Sequence, residues 1–403
     1  MTDAPVSRRV YKFAVFALAI GAFGIGVTEF ATMGLLPDIA AGLGITVPEA
    51  GHAVSFYAIG VVVGAPLITT IAAHMDRKNL LLGLMALFAL GNIASMLAPS
   101  AALFNIARFA SGLPHGAYLG VGAIVAASLA APNRRGRAMA RVMLGLTIAN
   151  IFGVPFAAAL GNMLGWRSAY ALVAALGILT VIMVAIAVPR VKLSAAPSAR
   201  GEMKALARPQ IILTLVAGSV GFGGMFAVYT YITPTMTDVA GVPTAAIPWV
   251  LAVYGLGMTA GSLIAGPIVD KSIERSGVFG MTLSALVLST FGAFTSIAAI
   301  AIVALFLIGV AGSLITTSLQ MRLLRDSTDA PSLSAAMNHA AFNFANALGA
   351  WLGGVVISAG LGYRAPAWVG VGLCIAGLVV LTVAIALRRG GPASQRPRTR
   401  IES

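Results

Sequence analysis

Apolar residues along this chain gather into long runs, at approximately 13–36, 53–73, 80–97, 101–130, 141–164, 168–188, 211–234, 248–269, 277–296, 299–321, 333–358 and 366–387. Each is close to the roughly twenty residues an α-helix needs to cross a bilayer at about 1.5 Å per residue. Turn-forming or charged residues separate most of them: Pro37-Asp38, Asp76-Arg77-Lys78, Pro99-Ser100, Pro132 to Arg137, Pro189-Arg190, Asp270-Lys271 and Arg322 to Asp329. Only the 296–299 break lacks such a signal. The pattern predicts an all-α membrane protein with twelve transmembrane helices.

Composition agrees. Charged residues make up 9% of the chain and hydrophobic residues 59%, against roughly 25% charged in a soluble protein. A chain this apolar could not cover a water-exposed surface, so its solvent is the lipid bilayer. The net charge of +14 invites a nucleic-acid reading, but its distribution removes it. With the N-terminus inside, 23 of the 26 Lys and Arg residues fall on the cytoplasmic side. Arg167 and Arg364 fall outside, and Arg108 lies within the fourth span. Basic residues in short loops mark the cytoplasmic side, so the split predicts an even number of spans with both ends cytoplasmic. The basic face then meets anionic lipid, with no nucleic-acid partner. The Arg8-Arg9 pair superficially resembles a twin-arginine export signal. The apolar stretch after it is too long for one and no small-residue cleavage site stands out. The single Cys374 excludes an intramolecular disulfide.

A shift of 197 residues lays the second half of the chain on the first. Gly24, Gly26 and Pro37 fall on Gly221, Gly223 and Pro234; Tyr57, Gly60 and Gly64 on Tyr254, Gly257 and Gly261; Gly112 on Gly309. Leu164-Gly165-Trp166-Arg167 falls on Leu361-Gly362-Tyr363-Arg364, while Ala149-Asn150 and Gly153 match Ala345-Asn346 and Gly349 at 196. Six spans per half is an even number, so the halves form two parallel six-helix repeats. The expected division is an N-terminal bundle over 1–188, a cytoplasmic linker over 189–210 and a C-terminal bundle with its tail over 211–403. Transporters built from such repeats place their site near the midplane, between the halves.

Several segments resemble the major facilitator superfamily, and more closely its bacterial twelve-span drug–proton antiporters. These include sugar-efflux, purine-ribonucleoside-efflux and chloramphenicol-resistance transporters. Gly26-Val27-Thr28-Glu29-Phe30 with Gly34-Leu35-Leu36-Pro37-Asp38 resembles the first helix of that group. Arg108 to Ala117 resembles its fourth-helix motif, an Arg followed by spaced glycines. Gly153-Val154-Pro155 resembles the fifth-helix antiporter motif, with Val154 interrupting the usual Gly-Pro pair. Gly266 to Lys271, with Arg275, resembles the gating loop motif between the second and third helices, here in the second half. In the first half the shift sets Ala73 where Asp270 stands, so that half lacks the acidic residue and Asp76 reads as an ordinary loop charge. The resemblance implies a proton-coupled exporter of small organic molecules in a bacterial inner membrane, working by alternating access; the chain is expected to act as a monomer, with Glu29, Arg108 and His115 as the proton-coupling candidates. Narrow-specificity sugar or nucleoside efflux and proton-coupled import are the alternatives.

The residues themselves point the same way. Glu29 lies eight residues before Pro37, roughly 12 Å inside the outer end of its helix, and Arg108 lies at a similar depth. Intramembrane charges are costly and mark pathways or partners. Burial and a neighbouring cation act on a carboxyl in opposite senses, the tension a proton carrier needs. Glu29 is therefore either that carrier or a fixed polar contact, with Arg108 paired to it directly or through water. The matching positions in the second half are Phe226 and Leu305, so symmetry does not demand these charges. His115, seven residues after Arg108 on one helical face, is either a proton relay or a hydrogen-bonding neighbour. His339, Asn343 and Asn346 form one polar stripe, and with Asn150, the repeat counterpart of Asn346, they line the cavity or join helices. Phe222, Phe226, Tyr229 and Tyr231, with Tyr57, Tyr118 and Tyr254, either line an aromatic pocket or pack. Scattered histidines and unpaired cysteine argue against a metal site. No phosphate-binding loop or hydrolase motif occurs, so neither a cofactor nor enzymatic activity is expected.

Overall fold

A computed structural model describes residues 7–71, 75–190, 208–327 and 331–390. Most of the linker expected over 189–210, and the tail after Gly390, lie outside the described residues. Among those described there are twelve helices long and apolar enough to span a membrane. They are α1 Arg8–Gly34, α2 Val47–Ala65, α3 Arg77–Leu97, α4 Ala101–Ser128, α5 Arg135–Leu164, α6 Arg167–Ala187, α7 Pro209–Thr230, α8 Thr244–Lys271, α9 Ile273–Phe294, α10 Ala298–Asp326, α11 Met337–Leu361 and α12 Ala365–Arg388. The unsignalled 296–299 break is a short turn between α9 and α10.

Local chemistry sets where the helices begin. The α2 helix starts at Val47, earlier than its apolar run, because Thr46 and Glu49 form a capping box. Glu49 Oε2 accepts from the Thr46 backbone N–H at 2.7 Å and from its hydroxyl at 2.8 Å. These bonds satisfy polar groups that a bare helix end leaves open. Asp76 caps α3 by accepting from the backbone N–H groups of Lys78 and Asn79, the ordinary role its position suggests. Pro114 lacks an N–H, and α4 is interrupted there into Ala101–Gly112 and His115–Ser128. The α5 helix carries a π-turn at Ala149–Gly153.

The two halves repeat in three dimensions. Gly44 and Gly241 share a left-handed φ of 66° and 68°, and Gly165 and Gly362 share 88° and 74°. Each pair is separated by the 197 residues read from the sequence. Gly60 packs on the backbone of Phe109 too closely for a Cβ, and Gly257 packs on Phe306 in the same way. The offset slips to 196 at Gly153 and Gly349 and returns to 197 at Gly165 and Gly362. A π-turn at Ile357–Leu361 absorbs the additional residue of the second half, since a π-turn holds more residues than an α-turn.

Buried apolar side chains form two large clusters, one per half. The first-half cluster includes Tyr231, and the second-half cluster includes Phe30, Met33, Val54, Val154 and Ala158. These crossing residues lie toward the face opposite the N-terminus of α1, called here the distal face. There Thr233 donates to the Gly34 carbonyl at 2.8 Å, and Tyr231 abuts Gly51 and Gly354. Deeper in, Ser55 donates to the Ala347 carbonyl at 3.1 Å, and Gly255 lies under the Asn150 carbonyl. The halves therefore meet along α2–α11 and α5–α8 and close at the distal face.

Candidate functional site

The first half holds a polar core between five helices. Arg108 is fully buried. Its Nη1 donates to Thr28 Oγ1 at 2.8 Å and its Nη2 to the Thr28 carbonyl at 3.0 Å. The Thr28 hydroxyl donates onward to Asn92 Oδ1 at 2.8 Å. The guanidinium sits over the Tyr57 ring at 4.3 Å and the Tyr170 ring at 5.5 Å from their centroids. A cation over an aromatic face is attracted by the ring quadrupole, so the two tyrosines and Thr28 together hold the charge. Tyr170 shares a hydrogen bond of 2.8 Å with Thr32.

Glu29 stands beside this core and outside its hydrogen bonds. It is partly exposed among buried neighbours and has no hydrogen-bond partner among the described residues. It lies close enough to Arg108, Tyr57 and Tyr254 to act on each electrostatically. The direct Glu29–Arg108 pair is not formed, because Thr28, the adjacent residue on α1, takes the guanidinium instead. Sequence reading missed Thr28, although it sits within the segment that singled out Glu29. Phe30, next along α1, packs its ring on Phe226, Tyr229 and Tyr254 of the other half at centroid distances of 6.3, 5.7 and 6.4 Å. Phe226 and Tyr229 are buried, so these rings join the halves in this state.

His115 begins the second segment of α4, and its Nδ1 lies 2.9 Å from the Tyr57 hydroxyl. His339, on α11 of the other half, is close enough to act on it electrostatically. His339 carries exposed surface even though protein atoms crowd it, as expected beside an internal space. Asn343 donates to the His339 carbonyl at 3.0 Å, and Asn150 to the Leu146 carbonyl at 3.0 Å. The Oδ1 atoms of Asn150 and Asn343, and both polar side-chain atoms of Asn346, are buried without a partner. Such groups cost about 1–3 kcal/mol each when unsatisfied, which makes them candidates for water or substrate contact. The antiporter-motif residue Gly153 packs against Phe23 and Val27 of α1, and Gly145 and Gly161 also pack on α1 residues and Leu35. That face of α5 serves close helix approach; Pro155 follows Gly153 by two residues and is only partly buried.

The gating residues are not drawn together. Asp270 is exposed on the last turn of α8 and has no ion-pair partner among the described residues. Neither Gly266, Lys271 nor Arg275 engages it. The chain turns at Ser272, and the charges gathered beyond that turn are different ones. Glu274 Oε1 lies 2.7 Å from Arg325 Nη1, 3.7 Å from Arg388 and 3.9 Å from Arg322. Asp326 lies 3.0 Å from Arg388. The one-residue-per-motif reading could not find this cluster, whose members come from α9, α10 and α12.

Among the described residues, twelve apolar helices in two repeats close on one face around intramembrane charges, the architecture of a membrane transporter of small molecules. The sequence matches the Major Facilitator Superfamily over residues 18–337 and 225–403, and the chain belongs to that superfamily. It is 39% identical to the inner membrane transport protein YdhP of Escherichia coli K12, over 94% of this chain and 97% of that protein. It is 31% identical to the chloramphenicol resistance protein of Streptomyces lividans, over 93% and 96%. The crystal structure of a D-xylose–proton symporter shares the fold with a TM-score of 0.71 at 16% identity, covering 92% of this chain and 97% of that one.

Proposed function

We propose that this transporter exports small, mostly neutral or weakly cationic organic molecules in exchange for protons, by alternating access in the bacterial inner membrane. The observation that carries the reading is the Glu29 carboxyl, partly exposed and without a hydrogen-bond partner among the described residues, beside the fully buried Arg108. Such a carboxyl gains or loses a proton without breaking a structural bond. Its charge is felt by Arg108 on α4, Tyr57 on α2 and Tyr254 across the seam, so proton occupancy acts on both halves. Residues 1–188 and 211–403 move as two bundles joined by 189–210, with both termini cytoplasmic as the basic residues require. The distal seam is then the outer gate, closed in this state. The chloramphenicol resistance protein among the relatives supports a drug-like substrate. The unpartnered amides of Asn150, Asn343 and Asn346 favour the second reading, a sugar or nucleoside rich in hydrogen-bonding groups.

Proteoliposomes with an imposed proton gradient test the reading, using chloramphenicol and D-arabinose as probes. Wild type concentrates a probe against its gradient, and the direction of that flux separates export from import. Glu29→Gln loses uphill transport and keeps energy-independent exchange, while Glu29→Asp keeps partial coupling. If Glu29→Gln concentrates the probe as well as wild type does, Glu29 is structural and the reading fails.

A further inference from the structure

The Tyr57–His115 contact has a direction that the surroundings fix. Tyr57 is about 1% exposed, and its hydroxyl has one partner, His115 Nδ1 at 2.9 Å. A buried hydroxyl hydrogen without an acceptor is costly. Among the described residues the only acceptor in reach is Nδ1, so burial assigns the donor role to Tyr57 and the acceptor role to Nδ1. A neutral imidazole that accepts at one nitrogen carries its hydrogen on the other. In His115 that other atom, Nε2, has no protein partner and is not among the sealed atoms of the interior. The α11 helix of the other half packs on this segment of α4, with His339 near enough to act on His115 electrostatically. Tyr57 is in turn held in place from its ring face by the Arg108 guanidinium.

We propose that Tyr57 is a positioning residue that fixes His115 as a hydrogen-bond donor, with its Nε2–H presented at the seam to an oxygen acceptor of the substrate. This rests on the small-molecule transport reading and gives the substrate a class: a neutral molecule bearing a carbonyl, hydroxyl or ether oxygen. His115 then serves specificity, and the proton is carried elsewhere.

Two measurements decide it. The chain has four histidines, so selective 15N-histidine NMR, with His115→Gln to assign the signal, reads the tautomer directly. Wild type shows Nε2–H, and Tyr57→Phe, which keeps the ring under Arg108, shows a mixture of tautomers. Exchange of chloramphenicol and of D-arabinose is then measured without a proton gradient, so failed proton coupling cannot mask the result. His115→Leu raises KM about tenfold with kcat nearly unchanged, as expected for losing one hydrogen bond to bound substrate. His115→Gln, which retains a donor, recovers most of that loss. An Nδ1–H tautomer in wild type, or an unchanged KM in His115→Leu, overturns the proposal. A wild type that exchanges neither probe overturns the substrate class.

Discussion

The fourth helix of each half carries one fully buried arginine, and the two are handled in opposite ways. Arg108 on α4 and Arg322 on α10 each bond to the first helix of their own half. Arg108 uses Thr28 on α1, while Arg322 uses Thr214 at 2.9 Å and Gln210 at 2.8 Å on α7. They are not repeat counterparts, since Arg322 aligns with Val125 and Arg108 with Leu305. Along the helix the two sites stand seventeen residues apart, roughly 26 Å. Arg322 sits in the last turn of its helix with Glu274 and Asp326 nearby, which share the charge with Arg325 and Arg388. Arg108 lies deep in its span and is held by a hydroxyl, a carbonyl and two rings, with the one nearby carboxyl left unbonded. An arginine tied into carboxylates fastens helix ends. An arginine denied its carboxylate leaves that carboxylate available to titrate. On the function proposed above, the repeated scaffold carries a fastener in one half and a working charge in the other.

Arg108→Ala breaks this comparison hardest if it is wrong. Removing the guanidinium takes two hydrogen bonds to a charged group, each worth about 1.5–3 kcal/mol, and takes away the cation facing Glu29. Proton-driven flux in proteoliposomes should fall at least about 100-fold, as the sum of those bonds allows. Arg322→Ala should do the reverse. It leaves Thr214 and Gln210 without their buried donor while Glu274 keeps Arg325 at 2.7 Å, at a cost of about 1–3 kcal/mol. A thermal melt in detergent should show that loss, with flux per folded molecule changed far less. Equal effects of the two variants on flux would erase the distinction. Thr28→Val comes next: it keeps the carbonyl contact to Arg108 but removes one hydrogen bond and strands Asn92 Oδ1, for about 1–3 kcal/mol. Flux should drop with it, because Thr28 is what holds Arg108 off Glu29.

Much of this was open to reading from the chain. The spans followed from run length, and the repeat from a constant offset, because glycines at close helix approaches and left-handed turns tolerate no substitute. Glu29 and Arg108 stood out because a charge inside an apolar run is rare. Their partners did not stand out. Thr28, Asn92 and Tyr170 are ordinary residues for a membrane helix, Tyr57 was named only as an aromatic candidate, and only the packing of α1, α2, α3, α4 and α6 brings them to Arg108. The Glu274 cluster was missed for a related reason. Its residues lie at helix ends, where charges are expected, and nothing in the local sequence marks them as neighbours. The gating motif drew attention to Asp270 instead, which the turn at Ser272 leaves facing outward. The early start of α2 was missed because Thr46 and Glu49 are polar, and a search for apolar runs passes over the capping box that begins the helix.

The same chemical change made in both sites gives the finest test. Glu29→Gln and Glu274→Gln each remove one charge and keep an oxygen acceptor. Glu274 is about a quarter exposed, at a helix end where water and ions reach it. Its oxygen still accepts from Arg325 after the change, so only the charged share of the pair is lost, about 0.5–1 kcal/mol. That loss should shrink further as salt is raised toward 1 M, where the Debye length falls to about 3 Å. Glu29, partly exposed, lies deep in its span among the buried residues of α1, away from bulk salt, so the defect of Glu29→Gln in uphill transport should be the same at low and high salt. The readouts are melting temperature for Glu274→Gln and gradient-driven flux for Glu29→Gln, each at two ionic strengths. A salt-independent melting loss at Glu274 would make that cluster a buried electrostatic element like the one around Arg108. A Glu29→Gln defect that salt repairs would place Glu29 at the surface, and the contrast between the two arginines would no longer divide fastening from work.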